Sequence, residues 1–553
     1  MQVDLTKELS LVTETSWEVC NKIGGIYAVL STKAKELKAQ FGDNLVFIGP
    51  DVWTDETPSR DFIERKTLLK RFSSITLPFD IKVRTGRWDI PGSPLVVLVK
   101  FDGVYPHLNE IYGKMWELFG VDSLHAYGDY AEGCAFGIAS AIVSAELCRH
   151  LGINPNKMLS HFNEWTTGMG LLYLRMICPE AASVFTTHAT SIGRSICGNG
   201  KALYQYFTGY NGDQMAYELN MEAKHSLEKQ AAKQADCFTT VSEVTARECA
   251  QLLDTPPAVV TPNGFEPAFV PDSKKGGLLR RAGRKRLLDV ARSLTGKEYD
   301  KDTLIIGTSG RNEYRNKGLD LFIDSIVSLN DQIVSEKRKA VAFIMVPAWV
   351  KSPDASLEKA LKDKGVSHGE QHFMTHRLHN EESDSVSCRV RAIYAERGEL
   401  KTDIIYLPCY LDGKDGIVNI SYYDLLPALD VTVFGSYYEP WGYTPLESIA
   451  FGVPTITTDK AGFGQWILDN FPNSLEETGV CVIPRNDDDY TDSVADIAGE
   501  LREYYFAKEC VVKKSREAAM ATSRNADWKY FITTYDKAFS IAIEKRNERE
   551  ITK

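Results

Sequence analysis

Residues 431–447 read Val-Thr-Val-Phe-Gly-Ser-Tyr-Tyr-Glu-Pro-Trp-Gly-Tyr-Thr-Pro-Leu-Glu, and this stretch decides the fold of the chain. Its first four residues, Val431–Phe434, are an apolar run that predicts a buried strand. The spacing of Thr444, Pro445 and Glu447 predicts a helix with Thr444 as its N-cap, Pro445 as its first residue and Glu447 as the partner in a capping box. A strand, a glycine loop and a helix in this order are typical of an α/β sheet.

The loop between this strand and this helix carries two carboxylates, Glu439 and Glu447. The helix start predicts an anion site, because its first backbone N–H groups lack partners and the helix dipole is positive there. A plainer interpretation makes Glu447 only a cap partner and Glu439 a solvated loop acid. Four aromatic side chains in the same loop favour a stacking surface for a sugar ring: Tyr437, Tyr438, Trp441 and Tyr443.

The composition excludes several classes of protein. A chain of 553 residues with 43% hydrophobic and 25% charged residues is typical of a globular protein of two or three domains. The net charge of −11 argues against nucleic-acid binding, which needs a basic face. No apolar stretch of about 18 residues stands out, so we expect no transmembrane span and no membrane partner.

The cysteines and the first residues predict the cytoplasm. The eleven cysteines are scattered, without a Cys-x-x-Cys pair, as expected for reduced thiols. Residues Met1–Ser10 carry Asp4, Lys7 and Glu8, which interrupt any signal-peptide core. We therefore expect a cytoplasmic enzyme or binding protein.

Apolar runs alternate with helical patterns along the chain, which predicts doubly wound parallel sheets. Prolines and an Asn-Gly pair in residues 260–267 mark a boundary. We predict a first domain at 1–267, a second at 268–524 with a mostly helical insertion at 351–401, and helices at about 525–553 that pack back on the first domain. The site would lie in the cleft between the domains. The predicted strands are Leu45–Ile48, Leu95–Leu98, Ser183–Thr187, Cys237–Val241, Thr303–Gly307, Ala340–Met345, Ile404–Leu407, Val431–Phe434, Pro454–Thr458 and Val480–Ile483.

Two loops of the first domain carry candidate ligand groups. Strand-like Leu9–Thr13 leads through Lys22, Gly24 and Gly25 into the helical run Ile26–Phe41. Paired glycines let the backbone approach a ligand, and the helix start favours a phosphate or sugar hydroxyls. Glycine pairs also open many helices for packing reasons alone.

Histidine and arginine follow the strand Ser183–Thr187, as His188 and Arg194. Either His188 contacts a ligand or it is a hydrogen-bonded buried residue, and its position alone favours burial. His161 ends another strand. Neither histidine has partners at metal-ligand spacing, so we predict no metal and no other cofactor. The acidic run Asp487–Asp489 is interpreted as a helix start rather than a cation site.

The strand Thr303–Gly307 is followed by a glycine-framed basic loop that holds Arg311 and Lys317. Arg grips phosphate oxygens with its planar fork and Lys adds a point charge. Two such cations can replace a metal in neutralising a diphosphate leaving group. The alternative is a solvated basic loop.

In this order, the segments resemble the glycogen synthases of the animal and fungal type, glycosyltransferase family 3. The resemblance spans nearly the whole chain and rests on six motifs: Glu14-Thr-Ser-Trp-Glu-Val-Cys-Asn-Lys-Ile-Gly-Gly-Ile-Tyr, His161-Phe-Asn-Glu-Trp, Phe185-Thr-Thr-His-Ala-Thr, Thr240-Val-Ser-Glu, Thr261-Pro-Asn-Gly and Tyr437-Tyr-Glu-Pro-Trp-Gly-Tyr-Thr-Pro. It implies a GT-B fold and retaining transfer of glucose from UDP-glucose to the 4-hydroxyl of an α-1,4-glucan such as glycogen or a maltooligosaccharide.

The resemblance also implies roles for the residues of the second domain. Arg311 and Lys317 would hold the diphosphate, and Glu439 would bind glucose and support the transition state. Glu447 would accept hydrogen bonds from the ribose, and the uracil would stack on Tyr422. The other residues implied at the donor are Trp441, Gly442, Tyr443 and Thr444.

In the first domain, His188 and Arg194 would line the donor pocket, while Lys22, Gly24 and Gly25 would close over the sugar and phosphate. We place His188 with Glu439, Arg311 and Lys317 as the expected catalytic group.

The chain departs from its eukaryotic relatives in ways that bear on regulation. Those relatives carry a dense arginine cluster that senses glucose 6-phosphate, whereas residues 513–528 here offer only Lys513, Lys514, Arg516 and Arg524. We therefore expect a constitutively active enzyme. The helical insertion is shorter than the one that builds the eukaryotic tetramer, and a homo-oligomer remains a candidate assembly.

Two alternatives to this function stay open at this point. One is an ADP-glucose-dependent glucan synthase, since the donor base cannot be read from the sequence around Tyr422. The other is a non-catalytic glucan-binding scaffold derived from a synthase, against which the retained Arg311, Lys317, Glu439 and Glu447 argue. A glucan phosphorylase would need a lysine-bound pyridoxal phosphate, and no motif for one stands out.

Overall fold

A computed structural model describes residues 4–54, 57–334, 337–367, 369 and 372–551. The chain forms two compact units, Met1–Glu266 with Ala526–Lys553, and Pro267–Asn525. The boundary between them lies one residue from the position predicted at 267. The ends of the predicted domain ranges, residues 1–3 and 552–553, lie outside the described residues.

The first unit is built on a nine-stranded sheet in the order β3-β4-β5-β2-β1-β6-β7-β8-β9. Most neighbours are parallel, but β3–β4 and β4–β5 are antiparallel, an edge that the predicted alternation of strands and helices did not include. The predicted first strand at Leu9–Thr13 lies two residues further along. The strands are β1 Leu11–Thr15, β2 Leu45–Pro50, β3 Phe62–Glu64, β4 Lys82–Trp88, β5 Leu95–Lys100, β6 Met158–Asn163, β7 Ala182–Thr187, β8 Cys237–Thr240 and β9 Val259–Val260.

Helices cover both faces of this sheet, and one of them is apolar all round. Helix α4 is long and apolar enough to cross a membrane, which contradicts the expectation that the chain has no such stretch. In the folded protein, however, 83% of the most apolar part of this helix is buried. A helix enclosed on every side by a core has no polar face. The helices are α1 Leu5–Glu8, α2 Gly25–Phe41, α3 Leu108–Phe119, α4 Tyr130–Leu151, α5 Trp165–Ile177, α6 Ser191–Gly198, α7 Gly212–Glu218, α8 Glu222–Gln234 and α9 Glu243–Leu252.

The second unit has a fully parallel six-stranded sheet in the order β14-β11-β10-β15-β16-β17. Numbered within this sheet, that is the doubly wound order 3-2-1-4-5-6, whose direction reverses between β10 and β15. Ligands in such sheets bind outside the carboxyl ends of the strands at this switch point. The strands are β10 Leu304–Ser309, β11 Ala340–Met345, β12 Val350–Pro353, β13 His376–Leu378, β14 Thr402–Leu407, β15 Val431–Phe434, β16 Thr455–Thr458 and β17 Val480–Ile483.

The insertion in the second unit is not only helical. It contains the two predicted helices, but β12 and β13 form an antiparallel pair beside them. These strands are short and lack an alternating apolar pattern, so the sequence offered no signal for them. The helices of the unit are α10 Ser273–Thr295, α11 Leu319–Gln332, α12 Ala355–Asp363, α13 Ser385–Arg397, α14 Tyr422–Leu425, α15 Tyr443–Ala450, α16 Gly462–Asn470, α17 Tyr490–Phe506 and α18 Glu509–Ser523.

The last helix, α19 (Trp528–Ile551), belongs to the first unit, as predicted. Its aromatic stripe is buried, with Trp528, Tyr535 and Phe539 each at most 1% exposed. The indole N–H of Trp528 donates to Thr32 Oγ1 of α2 at 2.6 Å. This helix therefore completes the core of the first unit.

Candidate functional site

Two loops flank the switch point of the second unit, one after β10 and one after β15. Lys317 from the first loop forms an ion pair with Glu439 from the second. Arg311 lies on the same loop as Lys317; its side chain is 56% exposed and its Nη2 lies 3.0 Å from Glu313 Oε1. The prediction that Arg311 and Lys317 share one loop is confirmed, and the structure adds Glu439 as the direct partner of Lys317.

Backbone contacts hold these two loops in register. The carbonyl of Asn316 accepts hydrogen bonds from the N–H groups of Tyr437 and Tyr438, at 3.0 and 3.1 Å. Gly318 has a φ of +68°, and a Cβ there would come within 1.9 Å of the Gly435 carbonyl oxygen. Because only glycine fits so close an approach, the Lys317–Glu439 pair rests on a fixed backbone frame.

Three of the four loop aromatics are packed inside the unit. Tyr437, Tyr438 and Trp441 are between 1% and 4% exposed. The Tyr437 hydroxyl donates to Asp487 Oδ1 at 2.6 Å, and the Arg315 guanidinium lies 4.3 Å from the centre of the Tyr437 ring. The predicted stacking surface is therefore wrong for these three rings, because packing inside the unit already covers them. The Trp441 ring lies beside the rings of Phe463 and Trp466, with centre-to-centre distances of 6.2 and 6.4 Å, and its predicted place at the donor stays a prediction.

Helix α15 begins earlier than the sequence predicted. Gly442 is its N-cap, with a φ of +109°, and Tyr443 is its first residue, so Thr444 and Glu447 do not form a capping box. The left-handed conformation of Gly442 ends the preceding loop and starts the helix without a side-chain cap. Pro445 is tolerated in the first turn because N–H groups there have no partner within the helix. Tyr443 and Thr444 are half-buried and lie in the first turn of this helix, so their backbone N–H groups are at the position predicted for an anion site.

Glu447 accepts a hydrogen bond from the Tyr423 hydroxyl at 2.7 Å. Tyr422, the predicted base platform, is hydrogen-bonded through its hydroxyl to Ser309 Oγ at 2.9 Å. Burial raises the pKa of both tyrosines, so their hydroxyls stay protonated and Tyr423 can donate. Sequence reasoning missed Tyr423; its position beside Tyr422 was the only available signal.

In the first unit, His188 directly follows β7. Its ring Nε2 lies 3.1 Å from Asn163 Oδ1, and its backbone N–H donates to Glu164 Oε2 at 3.2 Å. Burial, with help from the charge of Lys33, lowers the pKa of His188 to about 3, so the ring is neutral near pH 7. His188 is thus a buried, hydrogen-bonded histidine, the interpretation that its position favoured, and this does not remove it from a ligand site.

Next to His188 lie two acids, the buried Glu228 and the partly buried Glu164. Burial first, and then the neighbouring Glu228, raise the pKa of Glu164 to about 8, while Arg194 opposes the shift. Glu228 accepts from the backbone N–H of Ser191, at 2.8 Å, and so fills the start of α6. Arg194, predicted to face a ligand, therefore also compensates a buried carboxyl group.

The glycine turn before α2 is closed by the chain itself. Glu18 Oε2 accepts the N–H groups of Gly24, at 2.7 Å, and Tyr27, at 2.8 Å. A carboxylate of the chain thus takes two of the donors that the sequence offered to a phosphate or sugar hydroxyls, and the role of this turn at a ligand stays a prediction. The Lys22 ammonium lies 5.5 Å from the centre of the Tyr27 ring, and Gly25 is the first residue of α2.

One group of potential metal ligands occurs in the part of the chain that the structure describes. Side-chain atoms of His376, Cys409 and Asp415 lie within 4.8 Å of one another. Both His376 ring nitrogens are engaged, by Thr375 Oγ1 at 2.8 Å and by the Asp415 carbonyl at 2.9 Å. The Asp415 carboxylate accepts three backbone N–H groups, from residues 417–419. The group therefore fits a hydrogen-bonded turn better than a metal centre.

Comparison with known structures agrees with the fold. The catalytic domain of starch synthase IV from Arabidopsis thaliana, bound to ADP and acarbose, superposes with a TM-score of 0.59 at 15% identity, covering 97% of this chain and 100% of that one. A UDP-forming trehalose-phosphate synthase from Burkholderia xenovorans gives 0.54 at 12% identity, covering 97% and 99%. These similarities show a GT-B fold.

Sequence comparison covers almost the entire chain. The family model described as glycogen synthase matches residues 14–372 and 366–552. The glycogen [starch] synthase of Neurospora crassa is 28% identical, over 97% of this chain and 84% of that protein. The liver glycogen [starch] synthase of Mus musculus is 27% identical, over 97% and 83%. The chain is therefore a glycosyltransferase and belongs to the glycogen synthase family.

Proposed function

We propose that the protein transfers glucose from UDP-glucose to the non-reducing 4-hydroxyl of an α-1,4-glucan, with retention at the anomeric carbon and release of UDP. The observation that carries this proposal is the Lys317–Glu439 ion pair, with Arg311 on the same loop, at the switch point of the second unit. Membership of the glycogen synthase family supports a nucleotide-sugar donor and a glucan acceptor.

In this proposal Arg311 and Lys317 bind the diphosphate of the donor. As the glycosidic bond breaks, negative charge builds on the leaving phosphate, and fixed cations stabilise it. The first-turn N–H groups of Tyr443 and Thr444 add hydrogen-bond donors at the start of α15. These groups can neutralise the leaving group without a metal ion.

Glu439 binds glucose hydroxyls and stabilises the positive charge that develops on the sugar ring. Its ion pair with Lys317 holds the carboxylate in place above a fixed backbone. Glu447, held by Tyr423, accepts from the ribose diol, and Tyr422 stacks on the base. The configuration is retained because the acceptor hydroxyl attacks the anomeric carbon on the same face from which the phosphate leaves, and the leaving phosphate takes the proton of that hydroxyl. Glu439 and Glu447 therefore do not act as the acid and nucleophile of a retaining glycosidase.

The first unit supplies His188, Arg194, Lys22, Gly24 and Gly25 to this proposal. The neutral His188 ring suits hydrogen bonding to a sugar hydroxyl rather than charge stabilisation. Because Glu18 occupies the N–H groups of Gly24 and Tyr27, we assign Lys22, Gly24 and Gly25 to the hydroxyls of the sugar.

A direct test replaces Glu439 by Gln and follows release of the nucleoside diphosphate from each nucleotide sugar in the presence of glycogen. Turnover should fall by about 10²–10³-fold, the usual effect of removing one transition-state contact, while glycogen affinity persists. Glu396→Gln, on an exposed position of α13, is the matched control. Retained turnover in Glu439→Gln would refute the assignment.

The same assay identifies the donor base and checks the metal. We expect UDP-glucose to be used in preference to ADP-glucose, and EDTA to leave the rate unchanged. A preference for ADP-glucose would show that the protein is an ADP-glucose-dependent glucan synthase. We also propose a cytoplasmic location, which agrees with eleven cysteines that are all free thiols.

A further inference from the structure

A buried polar chain runs from α2 through β1 and β6 to His188. Lys33 and Glu14 are both fully buried, and the Lys33 ammonium lies 3.1 Å from Glu14 Oε2. The other oxygen, Oε1, accepts from His161 Nδ1 at 2.8 Å. Oε2 also accepts the side-chain amide of Asn163, at 3.2 Å. The Lys33 charge thus holds an ionised carboxylate at a position that orients Asn163.

The Asn163 amide has one orientation that satisfies its neighbours. Its Nδ2 donates to two acceptors, Glu14 Oε2 and the Thr15 carbonyl, both at 3.2 Å. Neither acceptor can donate, so Oδ1 must face the other way, toward His188 Nε2 at 3.1 Å. Because Oδ1 only accepts, Nε2 of His188 must carry the ring proton, and Nδ1 must carry the lone pair.

The remaining ring nitrogen is therefore an acceptor. Among the residues that the structure describes, none hydrogen-bonds to His188 Nδ1. The charged and titratable groups around the ring are Lys33 from α2, Glu14 from β1, His161 from β6 and Glu164 at the end of β6. Lys33, His161 and burial all oppose protonation of the ring, and only Glu14 favours it. The ring is thus set as a neutral acceptor before any ligand arrives.

We infer that Glu14, Lys33 and Asn163 are positioning residues that hold His188 in its Nε2–H tautomer, so that Nδ1 accepts a hydrogen bond from a hydroxyl of the donor sugar. The identity of the sugar ligand rests on the proposed function, whereas the tautomer does not. A protonated Glu14 would turn an O–H toward Asn163 Nδ2, so that two donors would face each other. Together with His161, the Lys33 charge opposes that protonation, and the amide keeps Nδ2 toward Glu14 and Thr15 and Oδ1 toward His188.

The tautomer can be measured without substrate. Protein labelled with ¹⁵N in its histidine rings gives separate shifts for protonated and unprotonated nitrogens, and His188→Gln identifies the His188 signals among the ten histidines. We expect Nε2–H and bare Nδ1, with no titration between about pH 5 and 8. An Nδ1–H tautomer, or an imidazolium at pH 7, would overturn the inference whether or not any nucleotide sugar is turned over.

Asn163→Leu keeps the shape of the side chain and removes both hydrogen-bonding faces. We expect it to lose the single tautomer and to lower kcat/KM for the nucleotide sugar by about ten-fold, as for one lost hydrogen bond, without changing affinity for UDP alone. The control Thr186→Val removes the 2.6 Å contact to His161 Nε2, off the path to His188, and should leave the tautomer unchanged. If Asn163→Leu folds and His188 keeps the same tautomer, the inference is also overturned. If that variant does not fold, the spectrum of the wild-type protein still decides whether His188 carries its proton on Nε2.

Discussion

The ammonium of Lys317 and the carboxylate of Glu439 form an ion pair at the carboxyl ends of β10 and β15. Both side chains are 14% exposed, so the pair is shielded but reachable. Lys317→Met and Glu439→Gln should each lower kcat by about 10²–10³-fold, since each removes a charge that acts in the transition state. The fall in kcat of the double variant should be far smaller than the product of the two single falls, because the two residues act as a unit. Steady-state kinetics of the four proteins measure this, and strict multiplicativity would contradict it.

Arg311 and Arg315 lie on one loop but should behave differently. Arg311→Ala should raise KM for the nucleotide sugar and lower kcat, because the exposed guanidinium is available to phosphate. Arg315→Ala should instead destabilise the fold by about 1–3 kcal/mol, because it deprives the buried Asp487 of its ionic partner. Kinetics and denaturant unfolding of both variants separate the two roles. Equal effects on KM would show that Arg315 also binds the donor.

Tyr423 is expected to set the affinity for the nucleotide. Tyr423→Phe removes the 2.7 Å hydrogen bond to Glu447 and should weaken UDP binding by about 0.5–1.5 kcal/mol. The matched variant Tyr422→Phe loses only the bond to Ser309 and keeps its ring, so it should bind UDP more tightly than Tyr423→Phe does. Titration calorimetry with UDP measures both. The reverse order would exclude Glu447 as an oriented ribose ligand.

Glu164 should make stability fall as the pH rises. Its folded pKa of about 8 lies above the ordinary value of 4.5, so the unfolded chain releases this proton first. The stabilising contribution is complete below about pH 4.5 and is lost as the pH rises through 8. Glu164→Gln does not titrate and should therefore gain stability relative to wild type between pH 5 and 8. Denaturant unfolding between pH 5 and 8 measures this difference, and Glu180→Gln at an exposed position is the control. If Glu164→Gln and wild type showed the same pH dependence of stability, the raised pKa of Glu164 would be refuted.

Glucose 6-phosphate is expected to have no effect on the rate. Three arginines of α10 and α18 in this region serve internal contacts: Arg280 and Arg284 pair with Asp430, and Arg516 donates to the Leu429 carbonyl. Burial and the neighbouring Arg280 lower the pKa of Arg516 to about 10. The guanidinium groups of these three arginines are therefore engaged within the unit and are poorly placed to bind a sugar phosphate. Assays with and without glucose 6-phosphate decide the matter, and a many-fold activation would contradict the prediction.

The sequence by itself determined the architecture and the chemistry-bearing loops. Apolar runs identified Val431–Phe434, Ala340–Met345 and Val480–Ile483 with the bounds that the structure has. Glycines and cations placed Arg311 and Lys317 at the end of a strand, and the acid loop at Glu439 followed from the same local logic. These features could be predicted because strand periodicity, turn residues and charge are properties of neighbouring residues.

Only the tertiary structure decided how those loops are used. The start of α15 depended on the left-handed Gly442. At the start of α2, Glu18 takes the N–H groups of Gly24 and Tyr27, a contact that the sequence did not predict. The bond between His161 and Glu14 joins residues 147 positions apart, and no local pattern announces such a pair. Packing also buried three of the aromatics that looked like a sugar platform. Long-range contacts compete for the same donors, acceptors and apolar surface that a ligand would use, and their outcome is set only when the chain is folded.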